Sequence, residues 1–223
     1  MNGAEMVWAG LQAGYRIPVT PVLDVRWQTP GIHVLIGRNG AGKSTLLRTV
    51  AGLQRPTAGT CTIAGQNVHA AAPVDRARLV SFLPGVPPRG VGLTVGQILQ
   101  LVPGTDADRR AVLARVGAEA WWSTPLDRLS DGQIQRTMLA RVLLQNAAWT
   151  VLDEPTAFLD APGRTALFAA LAAGHTGSVL LSTHDFHLLG EVGGIASVHA
   201  LSPGGWQALD VAGGPRVWEA ACR

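Results

Sequence analysis

Lysine is nearly absent from this chain. Of its 223 residues, 18 are lysine or arginine, and Lys43 is the single lysine among them. Cysteine is scarce as well. Cys61 and Cys222 are too few and too far apart for a disulfide framework or a zinc site, which fits a reducing compartment. No apolar run reaches the roughly 18–20 residues that a bilayer span needs. The N-terminal stretch holds Glu5 but no basic leader and no long apolar segment, so no secretory signal is read there. Basic residues never run four together and the net charge is only +3, so no nucleic-acid partner is expected. The pairs Arg76/Arg78 and Arg109/Arg110 read as solvated helix faces. What is plentiful is apolar material: 47% of residues, ample for a core, against 15% charged. The length suits one large domain, or one domain with a small subdomain. No internal repeat is visible, and the richest cluster of chain breakers is Pro84–Gly92.

The lone lysine sits in Gly37-Arg38-Asn39-Gly40-Ala41-Gly42-Lys43-Ser44-Thr45, which fits the pattern G-x-x-x-x-G-K-[ST]. A compact ammonium reaches between phosphates where the bulkier, two-pronged guanidinium of arginine would not. The surroundings match the chemistry. Ile32–Ile36 reads as a short buried strand after Pro30-Gly31, and Thr45–Ala51 as a helix closed by Gly52. Strand, glycine loop and helix in that order make an anion nest from successive backbone N–H groups and a helix N-terminus. Ser44 is placed to put its hydroxyl on a magnesium ion. These residues predict a nucleoside triphosphatase.

The second half supplies further polar groups at strand and helix ends. Leu129-Ser130-Asp131-Gly132-Gln133 opens a helix with Ser130 as its cap, and Ile134, Met138, Val142 and Leu143 follow at helical spacing. Trp149–Leu152 is an apolar strand that ends in Asp153 and Glu154. Alternation along a strand predicts that one carboxylate faces a metal and the other a water. Ser178–Ser182 is another buried strand, ending at Thr183-His184-Asp185. Three strands thus deliver polar groups at their C-terminal ends, where ligands sit in open α/β sheets.

With those motifs in place, the chain resembles the ATP-binding subunit of ATP-binding cassette (ABC) transporters, over about residues 7–205. Gly37–Thr45 corresponds to Walker A, Leu129–Gln133 to the signature, Trp149–Glu154 to Walker B, Phe158–Asp160 to the D-loop and His184 to the switch histidine. Tyr15 lies where the family places an aromatic that stacks on adenine. The phrases Leu129–Gln133, Thr156–Asp160 and Leu181–Asp185 are similar to ATPases of iron-siderophore, haem and vitamin B12 importers.

The resemblance implies an α/β fold: a P-loop core with a mostly parallel sheet, an antiparallel N-terminal β-subdomain around Trp8–Val25 and Thr60–Ala64, and a helical subdomain over about 86–146, all one cassette spanning 1–223. It implies ATP and Mg2+ as ligands. Gly37, Asn39, Gly40, Ala41, Gly42, Lys43, Ser44 and Thr45 would hold the phosphates, Ser44 and Asp153 the metal, and Glu154 and His184 the attacking water. Ser130, Gly132, Gln133 and Asp160 would meet the nucleotide of a second copy, or of a paired ATPase, in a head-to-tail dimer. Two transmembrane permease subunits would carry the dimer at the cytoplasmic face of the inner membrane, fed by a periplasmic or surface substrate-binding protein. The loop Gly85–Val95 would receive the permease. Other members of the family stay open as alternatives: a soluble ATPase such as one for iron–sulfur assembly, a weakly hydrolysing nucleotide-binding regulator, or a haem-export ATPase. Two departures stand out. Asp131 replaces the usual second glycine of the signature, and Gly85 stands where the family normally has a glutamine that reaches the magnesium and the water.

Overall fold

The computed structural model describes residues 4–28, 30–174, 177–184, 193–202 and 205–222, with residues 172–174 described by their backbone alone. The chain divides into two compact units. The first comprises Met1–Phe82, Ala147–Glu154 and Gly177–Arg223; the second comprises Leu83–Asn146 and Pro155–Thr176.

The first unit is built on two sheets. Strands β1 (Met6–Gln12), β2 (Leu23–Trp27), β4 (Ala58–Ile63) and β5 (Gln66–Asn67) form an antiparallel sheet in the order β2-β1-β4-β5. The sequence places the third of these strands at Thr60–Ala64. It ends one residue sooner because Ala64 and Gly65 both take positive φ, 50° and 77°, and turn the chain into β5. Two consecutive left-handed residues make the tight turn that suits a hairpin's twist.

The second sheet has six strands, β3 (Ile32–Ile36), β6 (Val80–Leu83), β7 (Trp149–Asp153), β8 (Ser178–Thr183), β9 (Ile195–Ser202) and β10 (Gly205–Leu209), in the order β10-β9-β3-β8-β7-β6. β3 runs parallel to β8 and β9, and β8 parallel to β7; only the β9–β10 hairpin is shown antiparallel. β3, β7 and β8 are buried at every position, the mark of interior strands covered on both faces. Their register matters for function. Ile36 lies opposite Thr183 and Asp153 opposite Ser182, so three parallel strands end together.

Behind the sheets lies a core centred on Trp8, Trp27 and Trp149, with Leu46, Leu47 and Val50 of helix α1 (Lys43–Val50) packed into it. Trp27 meets Trp8 edge-on at 4.8 Å and Trp149 at 5.9 Å. His33 stacks on Trp149, and His199 on Trp206. The first unit also holds helices α2 (Pro73–Leu79) and α7 (Gly214–Ala221), the latter anchored by buried Trp218, whose Nε1 donates to Asp210 O.

The second unit is helical: α3 (Val95–Gln100), α4 (Asp106–Arg115), α5 (Asp131–Gln145) and α6 (Ala161–Gly174). α5 is its centre, in contact with α3, α4 and α6, and Ile134, Met138, Val142 and Leu143 along it are buried. The unit is wider than the 86–146 read from the sequence, because α6 packs with α5 and Arg115 Nη2 donates to Ala170 O at 2.8 Å. Arg109 does not simply face solvent: it donates to Leu99 O and Val102 O and so ties the start of α4 to the end of α3. Arg110 is exposed, as its spacing suggests, with its guanidinium 4.4 Å from the Trp122 ring.

Candidate functional site

The loop between β3 and α1 is shaped for an anion. Gly40 and Gly42 have φ of 84° and 95°, in the left-handed region that favours glycine. Gly42 is also the N-cap of α1, and no side chain caps that helix. By contrast α3, α4 and α5 each begin with a capping box, Thr94/Gln97, Thr105/Asp108 and Ser130/Gln133. The first turn of a helix leaves N–H groups without partners unless something caps them. At α1 those amides stay available to a ligand, and the helix dipole favours negative charge there. Lys43 is buried at 6% exposure, its Nζ donating to Gly37 O at 2.7 Å and Arg38 O at 3.3 Å. Arg38, Asn39 and Gly40 are exposed at the crest of the loop, while Ser44 and Thr45 open the helix half-buried.

Tyr15 lies in the loop between β1 and β2, 71% exposed. That loop is folded back on itself, with Val19 N donating to Ala13 O and Ala13 N to the Thr20 hydroxyl. It lies close to the phosphate loop: a Cβ on Gly42 would come within 3.3 Å of Val19 and 3.4 Å of Thr20. Tyr15 and Lys43 are thereby brought to neighbouring segments.

At the end of β7 the two carboxylates point to different partners, and strand alternation is not the cause. Asp153 is the last residue of β7, 3% exposed, and accepts a hydrogen bond from the Ser182 hydroxyl at 2.8 Å. Glu154 is already outside the strand. Its φ is 44°, a left-handed conformation uncommon and costly for a non-glycine residue. This turn of the backbone, rather than the pleat, directs its side chain. One oxygen lies 3.6 Å from Lys43 Nζ; the other is 2.9 Å from His184 Nδ1 and accepts from His184 N at 3.3 Å. Lys43, Glu154 and His184 therefore converge from three different elements. Asp185 lies outside the described residues.

Ser182 is a site residue that the motif reading misses. Its hydroxyl donates to Asp153 and accepts from Glu154 N at 3.0 Å, holding both acidic residues at once. Its signal was its register opposite Asp153, which only pairing of β7 with β8 reveals. The Ser44 hydroxyl and the Asp153 carboxylate are oxygen donors of the kind magnesium takes, an ion that needs only one or two from the protein and completes its shell with phosphate oxygens and water. Among the described residues no group of three His, Cys, Asp or Glu side chains is gathered that could hold a metal by itself.

The signature lies in the second unit. Ser130 caps α5, accepting from Gln133 N at 3.3 Å, while Gln133 Oε1 accepts from Ser130 N at 2.9 Å. Gly132 is a glycine for a packing reason: a Cβ there would lie 2.6 Å from Phe158 O. Asp160 begins α6, its carboxylate accepting from Gly163 N and from Arg136 of α5 at 2.8 Å. Arg89, in the loop expected from sequence to receive a permease, reaches the signature, donating to Leu129 O at 3.0 Å and pairing with Asp131. Gly85 lies half-buried in the stretch between β6 and α3.

The ABC transporter family profile matches residues 23–157. An achromobactin transport ATP-binding protein of Dickeya dadantii is 33% identical over 181 residues, covering 74% of this chain and 67% of its own. A cobalamin import ATP-binding protein of Halobacterium salinarum is 36% identical over 167 residues, 69% of this chain and 42% of its own. A zinc import ATP-binding protein of Pseudomonas fluorescens is 38% identical over 165 residues, 72% of this chain and 60% of its own. Among solved structures, an ATP-binding subunit of an ABC transporter superposes with a TM-score of 0.79 at 25% identity, over 92% of this chain and 90% of that one. A bacterial Atm1-family exporter with ATP bound also reaches 0.79, at 18% identity over 90% of this chain and 38% of that one, which is a likeness of fold alone. No helix among the described residues is long and apolar enough to cross a membrane. A profile match over more than half the chain, on top of a P-loop, paired carboxylates and a histidine at adjoining strand ends, means that this protein belongs to the ABC transporter family as one of its ATP-binding ATPase chains.

Proposed function

We propose that the chain hydrolyses ATP to drive import through a membrane permease. The observation that carries this reading is the convergence of Lys43, Glu154 and His184 beside a helix start that no side chain caps. In hydrolysis the α1 amides and Lys43 hold the β- and γ-phosphates, and Tyr15 stacks on the adenine. Ser44 and Asp153 would hold magnesium, which would supply charge neutralisation on the phosphate oxygens. Glu154 polarises a water whose oxygen bonds to the γ-phosphorus as the bond to the β,γ-bridging oxygen breaks, giving ADP and phosphate. His184 steadies Glu154 and the water. Phosphoryl transfer asks for positioning and charge stabilisation, and these side chains supply both. Ser130, Gly132 and Gln133 close on the nucleotide of a second copy, with Asp160 at the seam.

The permease partners, a substrate-binding protein feeding them and a peripheral place at the cytoplasmic face of the inner membrane follow from the same reading. The cargo class read from sequence, an iron complex, haem or cobalamin, widens to include zinc, since a zinc import protein is among the relatives. Two variants test the ATPase. Lys43→Ala is expected to abolish tight binding of a fluorescent ATP analogue. Glu154→Gln is expected to keep binding, to lose about 10²–10⁴-fold in phosphate release, and to accumulate as a dimer with ATP and magnesium by light scattering. Normal turnover in Glu154→Gln would remove that residue from its role. Crosslinking in native membranes tests the partner: recovery of a permease supports the importer, and a chain recovered alone favours a soluble ATPase.

A further inference from the structure

Hydrolysis leaves one charged pair unexplained. Asp131 is the first residue of α5, directly after the Ser130 cap. A carboxylate at that position suits the helix dipole. It does not suit a helix start that has to meet a γ-phosphate, because the two anions then repel each other at close range. Arg89 answers this conflict. Its guanidinium straddles Ser130, one arm donating to Leu129 O at 3.0 Å and the other to the Asp131 carboxylate.

Arg89 is not a loose arm. The Asp127 carboxylate accepts from Gly90 N at 2.8 Å and Gly92 N at 3.3 Å. Leu126 N donates to Leu93 O at 2.9 Å, and Thr94 pairs with Pro125. The whole stretch 89–94 is therefore fastened to the stretch leading into the signature. The two side chains remain 49% and 47% exposed. A pair so exposed contributes little to folding stability, so stability alone does not account for this arrangement.

We propose that Arg89 is a positioning residue of the signature: it neutralises Asp131 and fixes the Leu129–Gly132 backbone, so that a helix start bearing an aspartate can accept the γ-phosphate of the partner copy's ATP. This rests on the proposed role of the signature in the dimer. The charge borne by Asp131, where the family usually has glycine, is what makes Arg89 necessary. Arginine suits the task because its planar fork meets a carbonyl and a carboxylate together, while lysine offers a single point of charge.

The test uses the full chain and compares Arg89→Ala, Arg89→Lys, Asp131→Gly and the double variant Arg89→Ala with Asp131→Gly. The readouts are kcat and apparent KM for ATP in phosphate release, at about 50 mM and about 500 mM salt, a span over which exposed charges go from weakly to strongly screened. Arg89→Ala is expected to raise the apparent KM on the order of tenfold, the scale of one close uncompensated charge, and to lose much of that defect in high salt. Arg89→Lys is expected to fall between wild type and Arg89→Ala. Placed on the Asp131→Gly background, Arg89→Ala is expected to shift KM by no more than about twofold, because the charge it compensates is gone. An equal KM shift with and without Asp131, or a shift that salt does not change, overturns the proposal in favour of a purely structural arginine. If Arg89→Ala fails to fold, Arg89→Lys on the two backgrounds carries the same comparison. Lys43→Ala separates the two readings. An ATPase that depends on Lys43 but ignores Arg89 overturns only the role of Arg89; a chain whose hydrolysis ignores Lys43 overturns the site and this proposal with it.

Discussion

Ser182 shows how one hydroxyl can organise two acids. It donates to Asp153 and accepts from Glu154 N, and Asp153 is 3% exposed. Removing the hydroxyl leaves a buried carboxylate oxygen and a backbone N–H without their partner. Such a loss costs about 1–3 kcal/mol, more than the net worth of the hydrogen bond itself. Ser182→Ala is therefore expected to lower the unfolding free energy by that amount in urea titration. It is also expected to raise the magnesium concentration needed for half-maximal phosphate release, because Asp153 is free to rotate. Ser182→Thr keeps the hydroxyl and should preserve the magnesium dependence. Equal magnesium dependence in wild type and Ser182→Ala would show that β7 alone orients Asp153.

Two helix starts, in the two units, are built differently. α1 begins at a left-handed glycine with no side-chain cap; α5 begins with a capping box between Ser130 and Gln133. Alanine at Gly42 would need φ near 95° and would press on Val19 and Thr20. Backbone strain of that kind costs about 1–3 kcal/mol, and the phosphate nest is deformed with it. Gly42→Ala is expected to lose that much stability and most ATP affinity, read by thermal unfolding and nucleotide titration. At Gly132 two effects compete. Alanine gains about 1 kcal/mol of helix propensity over glycine, but its Cβ would lie 2.6 Å from Phe158 O. A backbone carbonyl cannot step aside as a flexible side chain does, and overpacking costs about 1–3 kcal/mol. The clash wins, so Gly132→Ala is expected to be net destabilising, while a stabilised variant would show that the D-loop yields.

Across the first unit, His199 ties the two sheets together and sets a pH limit. It lies on β9, 8% exposed, stacks on Trp206 of β10 and accepts a hydrogen bond from Trp27 Nε1 of β2 at 3.3 Å. Burial, with the nearby His33 adding to it, pushes its pKa from 6.5 down to about 4. Charging the ring would also turn Nε2, which faces the Trp27 N–H, into a second donor. The folded chain thus holds His199 neutral, while the unfolded chain takes up a proton below pH 6.5. This contribution to stability is complete above pH 6.5 and drains away as pH falls toward about 4. The shift corresponds to a loss of up to about 3 kcal/mol. Urea unfolding from pH 7.5 to 4.5 should show falling stability. His199→Phe, whatever its absolute stability, should flatten that slope; an unchanged slope would assign it to other groups, such as His69, whose pKa burial also lowers.

Local sequence determined the elements that carry the chemistry. Ile32–Ile36, Trp149–Asp153 and the strand ending at Thr183 were legible as short buried runs, because interior parallel strands need apolar residues on both faces. The glycines of the loop before α1 were legible because positive φ and close approach at Gly42 demand that residue type. Ser130 was legible as a cap because its partner Gln133 is three residues away. What tertiary structure decided depends on partners far along the chain. Ser182 becomes a site residue only through a bond to Asp153, 29 residues earlier. Glu154 is aimed by a left-handed backbone that strand alternation does not anticipate. α6 joins the helical unit through contacts with α5 that no boundary signal marks. Arg89 finds Asp131 as its partner across 42 residues. Propensity, capping and glycine geometry act within a few residues and are written in local pattern. Which buried acid receives which hydroxyl, and which arginine answers which aspartate, is settled only when packing brings distant strands and loops into register.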